Sequence, residues 1–123
     1  MSPNPRKPTP PKGSGPAGRR LWRAVVDEWD FEEWELALLR EAVRTVDTLD
    51  QLAAIVSEAG LLVQGHDGPR VHPALVEQRQ LKIALARILA ALRLPDGEEG
   101  DESSGRRQRR AGARGVYKLK AVK

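Results

Sequence analysis

Apolar residues begin to recur at helical spacing just after residue 20. Five of them fall at intervals that place their side chains on one face of a helix: Leu21, Trp22, Val25, Val26 and Trp29. An apolar face of this kind needs a surface to pack against. The pattern therefore predicts an amphipathic first helix that belongs to a larger core.

A longer second helix is predicted from about Phe31 to Glu58. Asp30 is a residue type that favours the N-cap, and Glu33 follows three residues later, as in a capping box. Gly60 supplies the left-handed backbone conformation that commonly ends a helix. At about 1.5 Å per residue, such a helix would extend over about 40 Å.

This second helix carries two apolar stripes. One has the alternating spacings of three and four that mark a heptad seam, and it comprises Leu39, Ala42, Val46, Leu49, Ala53 and Val56. The other stripe is Leu38, Leu52 and Ile55, so the helix is expected to contact two partners. A break near Thr48 and Asp50 is the alternative to one continuous helix.

The segment after Gly60 has two interpretations. Short apolar runs at 61–63 and 70–71 flank a polar stretch, which is typical of a hairpin around Asp67 and Gly68. A plain helix-to-helix connection is the alternative. His72 and Pro73 then predict the start of a third helix, since proline at the first helical position loses no hydrogen bond.

The third helix is expected to end at Leu94 and Pro95. Its core-facing residues are Leu81, Ala84, Leu85, Ile88, Leu89 and Leu92, and its opposite side carries Arg79, Lys82 and Arg93. Three helices of this length make a thin core. We therefore predict that assembly completes the core, with Leu85 and Ile88 joining the heptad seam as oligomerisation residues.

These patterns predict an all-α protein with a three-helix core, a long central helix and at most a short β-hairpin. Residues 1–17 contain six prolines and few apolar side chains, which predicts a disordered basic arm. Residues 18–95 form the helical oligomerisation core. Residues 96–123 lack large apolar side chains up to Gly115 and are predicted to be a flexible tail, acidic first and then basic.

Charge is distributed unevenly among these three parts. The formal net charge of the chain is +4. Residues 1–20 carry five basic and no acidic side chains, residues 21–95 carry eight against twelve, and residues 96–123 carry eight against five. An acidic body between basic arms favours a protein that assembles through its body and contacts a polyanion through its arms. Two merely solubilising tails are the alternative.

Several classes of protein are excluded by composition. The chain has no cysteine, so it forms neither a disulfide framework nor a thiolate metal site. It shows no secretory signal and no run of about 20 apolar residues that would span a membrane. We expect an intracellular protein that does not enter a membrane.

Three features imitate catalytic or ligand-binding motifs. The stretch GSGPAGR at 13–19 resembles a phosphate-binding loop, but it has Arg19 in place of lysine and no preceding strand, so we interpret it as a linker. His66 and His72 lack partners at a diagnostic spacing, which favours turn and cap roles. An acidic cluster is expected to cap helices and face solvent rather than bind a metal ion: Asp27, Glu28, Asp30, Glu32, Glu33 and Glu35. We predict no enzymatic activity, no cofactor and no bound metal.

The C-terminal tail carries the most specific charged motif. Its arginines can follow phosphates without reading a base sequence: Arg106, Arg107, Arg109, Arg110 and Arg114. Arg19 and Arg20, at the end of the basic N-terminal segment 1–20, and the three cations of the third helix complete the predicted DNA-binding residues. The last eight residues are again partly apolar, which predicts a docking peptide that folds on a partner through Val116, Tyr117, Leu119 and Val122.

Taken in order, several segments resemble the small terminase subunits of tailed bacteriophages. The resemblance covers about Gly18 to Pro95 and includes GRRLW, WDFEEWEL, ALLREAVRTVDTLDQL, EAGLLV, GPRVHPALVEQR and ARILAALRLP. It departs from the family in having no clear helix-turn-helix before Gly18. The arginine tail also lies outside the matching region.

The resemblance implies a DNA-packaging adaptor. Members of this family assemble into homo-oligomeric rings, bind double-stranded viral DNA and deliver it to the large terminase subunit, which carries the ATPase and nuclease. An HNH-type phage nuclease is a further implied partner, and the implied location is the cytoplasm of the infected bacterium. The alternative is a non-catalytic oligomeric scaffold whose basic arms bind RNA or acidic proteins.

Overall fold

The computed structural model describes residues 7–94, which form three helices and one two-stranded hairpin. The elements are α1 (Pro16–Val26), α2 (Glu33–Ala59), β1 (Leu62–Gly65), β2 (Gly68–Val71) and α3 (Pro73–Leu92). Helix α2 packs against both α1 and α3. The predicted helical architecture is confirmed, and the hairpin replaces the plain connection.

The first helix begins and ends earlier than its apolar pattern suggests. Pro16 occupies the first turn, where its missing N–H is no loss, and Asp27 caps the C-terminus. Trp29 therefore lies beyond the helix, although it still packs against the core as predicted. The predicted disordered arm is wrong for residues 7–17, because residues 7–15 have a described structure and Pro16 and Ala17 belong to α1.

Residues 7–15 lie against α1 as a proline-rich strap. The indole Nε1 of Trp22 donates a hydrogen bond to the carbonyl of Pro8 at 3.0 Å, and Lys7 forms an ion pair with Asp27 at 3.0 Å. Prolines reduce the freedom of the unfolded chain, so ordering this segment costs less entropy than its length suggests. A buried tryptophan also requires an acceptor for its N–H.

Helix α2 is continuous, so the alternative break near Thr48 is wrong. Its N-cap is Glu32, with Glu35 completing the capping box, instead of the predicted Asp30 and Glu33. The Glu32 amide donates to Glu35 Oε1 at 2.7 Å. Gly60 ends the helix as predicted, but at φ +91° and ψ 166° it is not in the expected left-handed helical conformation; its amide donates to the carbonyl of Val56 at 2.7 Å.

The hairpin and α3 follow the turn signals closely. Leu62 pairs with Val71 and Gly65 with Gly68, so His66 and Asp67 form the tip and Gly68 adopts φ +109°. His72 is the N-cap of α3, and its Nδ1 accepts a hydrogen bond from the Ala74 amide at 3.0 Å.

The third helix stops two residues earlier than predicted. Arg93 adopts a left-handed conformation at the C-cap, directly after Leu92. Ala84, which was predicted to face the core, is exposed, because it lies off the side of α3 that packs on α2.

The buried core lies where α1, the first half of α2 and the end of α3 meet. Its largest fully buried side chains are Trp22, Leu39, Val43 and Leu92. Gly18 permits the close contact between α1 and α2, because a Cβ there would lie 2.7 Å from Val43 Cγ1. The far half of the α2–α3 pair, which α1 does not cover, has few buried side chains.

Candidate nucleic-acid interface and assembly surface

The predicted oligomerisation seam is largely enclosed within one chain. Leu39 and Ala42 are fully buried, while Leu85 and Ile88 are partly buried and pack against the same core. Val46, Leu49 and Val56 are half-buried and only Ala53 is exposed. A heptad pattern indicates that a helix needs a partner, and here the chain's own α3 meets much of that need.

Other apolar side chains remain exposed, mainly at the end of the α2–α3 pair that α1 does not cover. We call this set the distal apolar surface: Ile55, Leu61, Leu62, Val71, Val76 and Ile83, each between 45% and 64% exposed. Leu62 and Val71 are direct cross-strand partners, so their side chains project from the same face of the hairpin. Except for Ile55, which belongs to the second predicted stripe, the sequence did not single out these residues as a possible contact surface. The signal in the sequence was the pair of apolar residues, Leu62 and Val71, at the base of the predicted hairpin.

The predicted cations of α3 do not form one cluster. Arg79 and Lys82 are exposed and line a shallow groove of about 460 Å³ with Leu75, Gln78, Ile83 and Ala86. Arg93 lies at the C-cap, eleven residues beyond Lys82 and therefore about 16 Å further along the helix.

Arg19 and Arg20 lie on the exposed side of α1. The guanidinium of Arg19 donates a hydrogen bond to the carbonyl of Ser14, which ties the strap to the helix. Arg23, one turn after Arg19, and Lys12 on the strap are also exposed, and neither was among the predicted DNA-binding residues. The helical spacing of Arg19 and Arg23 was the signal that sequence reasoning overlooked.

The apparent phosphate-binding loop is occupied by the protein itself. Asp47 on α2 accepts hydrogen bonds from the amides of Gly15, at 2.7 Å, and Gly18, at 2.8 Å. A carboxylate thus occupies the position that an anion would take at the N-terminus of α1. The segment is the start of a helix capped by α2, not the linker that we expected.

The acidic residues near the α1–α2 junction serve mainly as structural partners. Asp27 pairs with Lys7, Glu33 with Arg40 at 3.5 Å, and Glu32 and Glu35 form the capping box. Within residues 7–94, no three acidic or histidine side chains converge as a metal site. The cap role of His72 and the turn position of His66 agree with their predicted roles.

The arginine array at 106–114 and the docking peptide at 116–123 lie outside the described residues. Among residues 7–94, no helix combines the length and apolar character needed to cross a membrane. No known protein family, curated protein or solved structure matches the chain.

Proposed function

We propose that this chain is the small terminase subunit of a tailed bacteriophage. In this role it is a non-catalytic adaptor that binds double-stranded viral DNA and delivers it to the large terminase subunit, with an HNH-type nuclease as a further partner. The proposal rests on the order of the motifs that resemble this family. In support, these motifs stand at positions that determine the fold: Trp22 fills the core, Gly60 ends α2, and His72 and Pro73 begin α3.

Assembly into a ring is part of this proposal, and the distal apolar surface is its proposed contact. Ile83 lies two residues from the core-packed Leu85, so it projects from the opposite side of α3. Ile55 lies on α2 and is 49% exposed, so the other helix of the pair also carries an exposed apolar side chain. Exposed apolar side chains on both helices suit a head-to-tail contact between copies, and such a contact closes into a ring when its rotation permits.

Light scattering after size exclusion tests the assembly, with Ile83→Asp and Ile55→Asp as the variants. Each should dissociate the oligomer while the helical circular-dichroism signal stays unchanged, because an unpaired charge is costly in an apolar contact. Ala37→Asp adds a charge at an exposed position of α2, 18 residues before Ile55 and therefore about 27 Å away along the helix, and it should leave the assembly intact. A wild-type protein that is monomeric at micromolar concentration would contradict the ring.

DNA packaging is distinguished from the scaffold alternative by the partner of the C-terminal peptide. Deletion of residues 116–123 should weaken binding to the large terminase subunit of the same phage and leave the helical core folded. A scaffold would show no binding to that subunit at all. A large-terminase gene and a portal gene beside this one in the genome would independently support packaging.

The tail arginines should make their own contribution to the salt dependence of DNA affinity. If about four of the five arginines at 106–114 each neutralise a phosphate, they contribute a slope of roughly −3 to −4 to the logarithm of affinity against the logarithm of salt. Replacing all five with alanine should flatten the slope by that amount, equally for specific and random duplexes. An unchanged slope would place DNA contact on the folded body instead.

A further inference from the structure

The folded part of the chain is electrically divided. Residues 7–26, which form the strap and α1, carry five basic and no acidic side chains, whereas residues 27–94 carry seven basic and twelve acidic side chains. The division is not visible in the net charge of the chain. It places all of the excess positive charge of the described body on one helix and its strap.

Most of these cations have no acidic partner among residues 7–94. Among residues 7–94, the ion pairs involve Lys7, Arg40 and Arg44, and only the first of these belongs to the strap or α1. Lys12, Arg20 and Arg23 are exposed and make no ion pair with a described residue. By contrast, Arg40 and Arg44 on α2 are matched by Glu33 and Glu41.

The three arginines of α1 lie close together on a rigid element. Arg19 and Arg23 are four residues apart and Arg20 and Arg23 are three apart, so they are neighbours on the helix surface. Like charges at these spacings destabilise a helix. A polyanion lying across them would remove that repulsion. A helix with only a structural role gains nothing from like charges at these positions.

The rest of α1 leaves this outer side free to bind. Its apolar side packs Trp22, Val25 and Val26 into the core, and its N-terminal amides are held by Asp47. An anion at α1 is therefore contacted by side chains and not by the helix terminus. Arg19 is additionally fixed by its hydrogen bond to the Ser14 carbonyl, which positions the strap and Lys12 beside the helix.

We propose that Lys12, Arg19, Arg20 and Arg23, the α1 basic patch, bind the phosphate backbone of duplex DNA. This inference rests on the proposed function and places the principal DNA contact of the folded body on α1, not on the cations of α3. The acidic remainder of the body repels the same backbone, so a duplex is oriented toward α1. Phosphate contacts of this kind fix position and orientation without reading base sequence.

The test uses the full-length chain and a random duplex titrated at several salt concentrations. The patch variant combines Lys12→Ala, Arg20→Ala and Arg23→Ala, and it spares Arg19 because that residue also holds the strap. Losing three phosphate contacts should flatten the salt slope by about 2.7, at about 0.9 per phosphate. Between 50 and 200 mM salt, the wild type should therefore lose about 40-fold more affinity than the variant.

A matched variant combines Arg70→Ala, Arg79→Ala and Lys82→Ala, which removes the same charge from the far end of the body. It should keep the wild-type slope. A second variant, Arg20→Lys with Arg23→Lys, should also keep the slope, because a lysine neutralises a phosphate as an arginine does. Thermal unfolding verifies that all variants are folded.

The outcomes separate this inference from the function on which it rests. An unchanged slope in the patch variant, or an equal change in the matched variant, overturns the α1 basic patch and leaves DNA packaging standing. A patch variant that loses affinity for single-stranded RNA but not for duplex DNA also overturns it. If the wild-type chain binds no duplex at 50 mM salt, the proposed function itself fails.

Discussion

The carboxylate of Asp47 lies directly against the backbone of Gly18. Its Oδ1 accepts a hydrogen bond from the Gly18 amide at 2.8 Å, and a Cβ on residue 18 would lie 2.5 Å from its Oδ2. The contact joins the N-terminus of α1 to the middle of α2, 29 residues later in the chain. It exists because residue 18 has no side chain.

Gly18→Ala should therefore destabilise the fold by about 1–3 kcal/mol, since the added methyl group overpacks against Asp47 and Val43. Urea unfolding measures the loss. In an Asp47→Ala background the same substitution should cost less, because one of the two clashes has been removed. Equal costs in both backgrounds would show that Asp47 and Gly18 are not coupled.

Removing the carboxylate itself exposes two helix amides. Asp47→Ala leaves the Gly15 and Gly18 amides without their acceptor and should cost about 1–2 kcal/mol, as loss of a helix cap does. Hydrogen exchange at the Gly18 amide should accelerate. Asp50→Ala is the matched control, because Asp50 is exposed on the same helix, and it should change stability by less than about 0.5 kcal/mol. If Asp50→Ala lowers the stability as much as Asp47→Ala does, Asp47 does not act as a cap of α1.

The strap depends on the indole of Trp22. Trp22→Phe removes the hydrogen bond to the Pro8 carbonyl, worth about 1 kcal/mol, and also leaves a small cavity in the core, so it should cost more than that amount and speed tryptic cleavage after Lys12. Trp34→Phe is the same chemical change at a side chain that is 61% exposed, and its cleavage rate should match the wild type. Identical rates in all three proteins would mean that the strap is held by something other than this hydrogen bond.

Substitutions at Leu39 and Ile83 should distinguish the residues that stabilise the fold from those proposed to stabilise the assembly. Leu39→Ala empties a fully buried site and should cost about 2–5 kcal/mol, whereas Ile83→Ala trims a side chain that is nearly half exposed and should cost less than about 1 kcal/mol. Urea unfolding at low protein concentration measures both. Leu39→Asp is expected to unfold the chain and not merely dissociate it, so a folded monomeric Leu39→Asp protein would argue against this core.

Much of the fold follows from local signals in the sequence. Proline at the first turn of α3, glycine after α2 and the apolar periodicity of all three helices act within a few residues. They therefore predicted the order and approximate extent of the helices. Boundaries were less certain where competing residues stood close together, as with Asp30 and Glu32 at the start of α2, because either side chain can cap a helix.

The sequence by itself determined the helices and the uneven distribution of charge, because backbone stereochemistry, helical period and charge are local properties, whereas it left the hairpin and the plain connection as alternatives. The tertiary structure decided which apolar side chains are covered: Leu39 and Ala42 lie inside the chain, while Ile83 and Leu62 remain exposed. It also decided that Asp47 caps α1 and that residues 7–15 lie on Trp22. Those outcomes depend on which surfaces meet across the chain, and side-chain spacing along one helix carries no information about its neighbours.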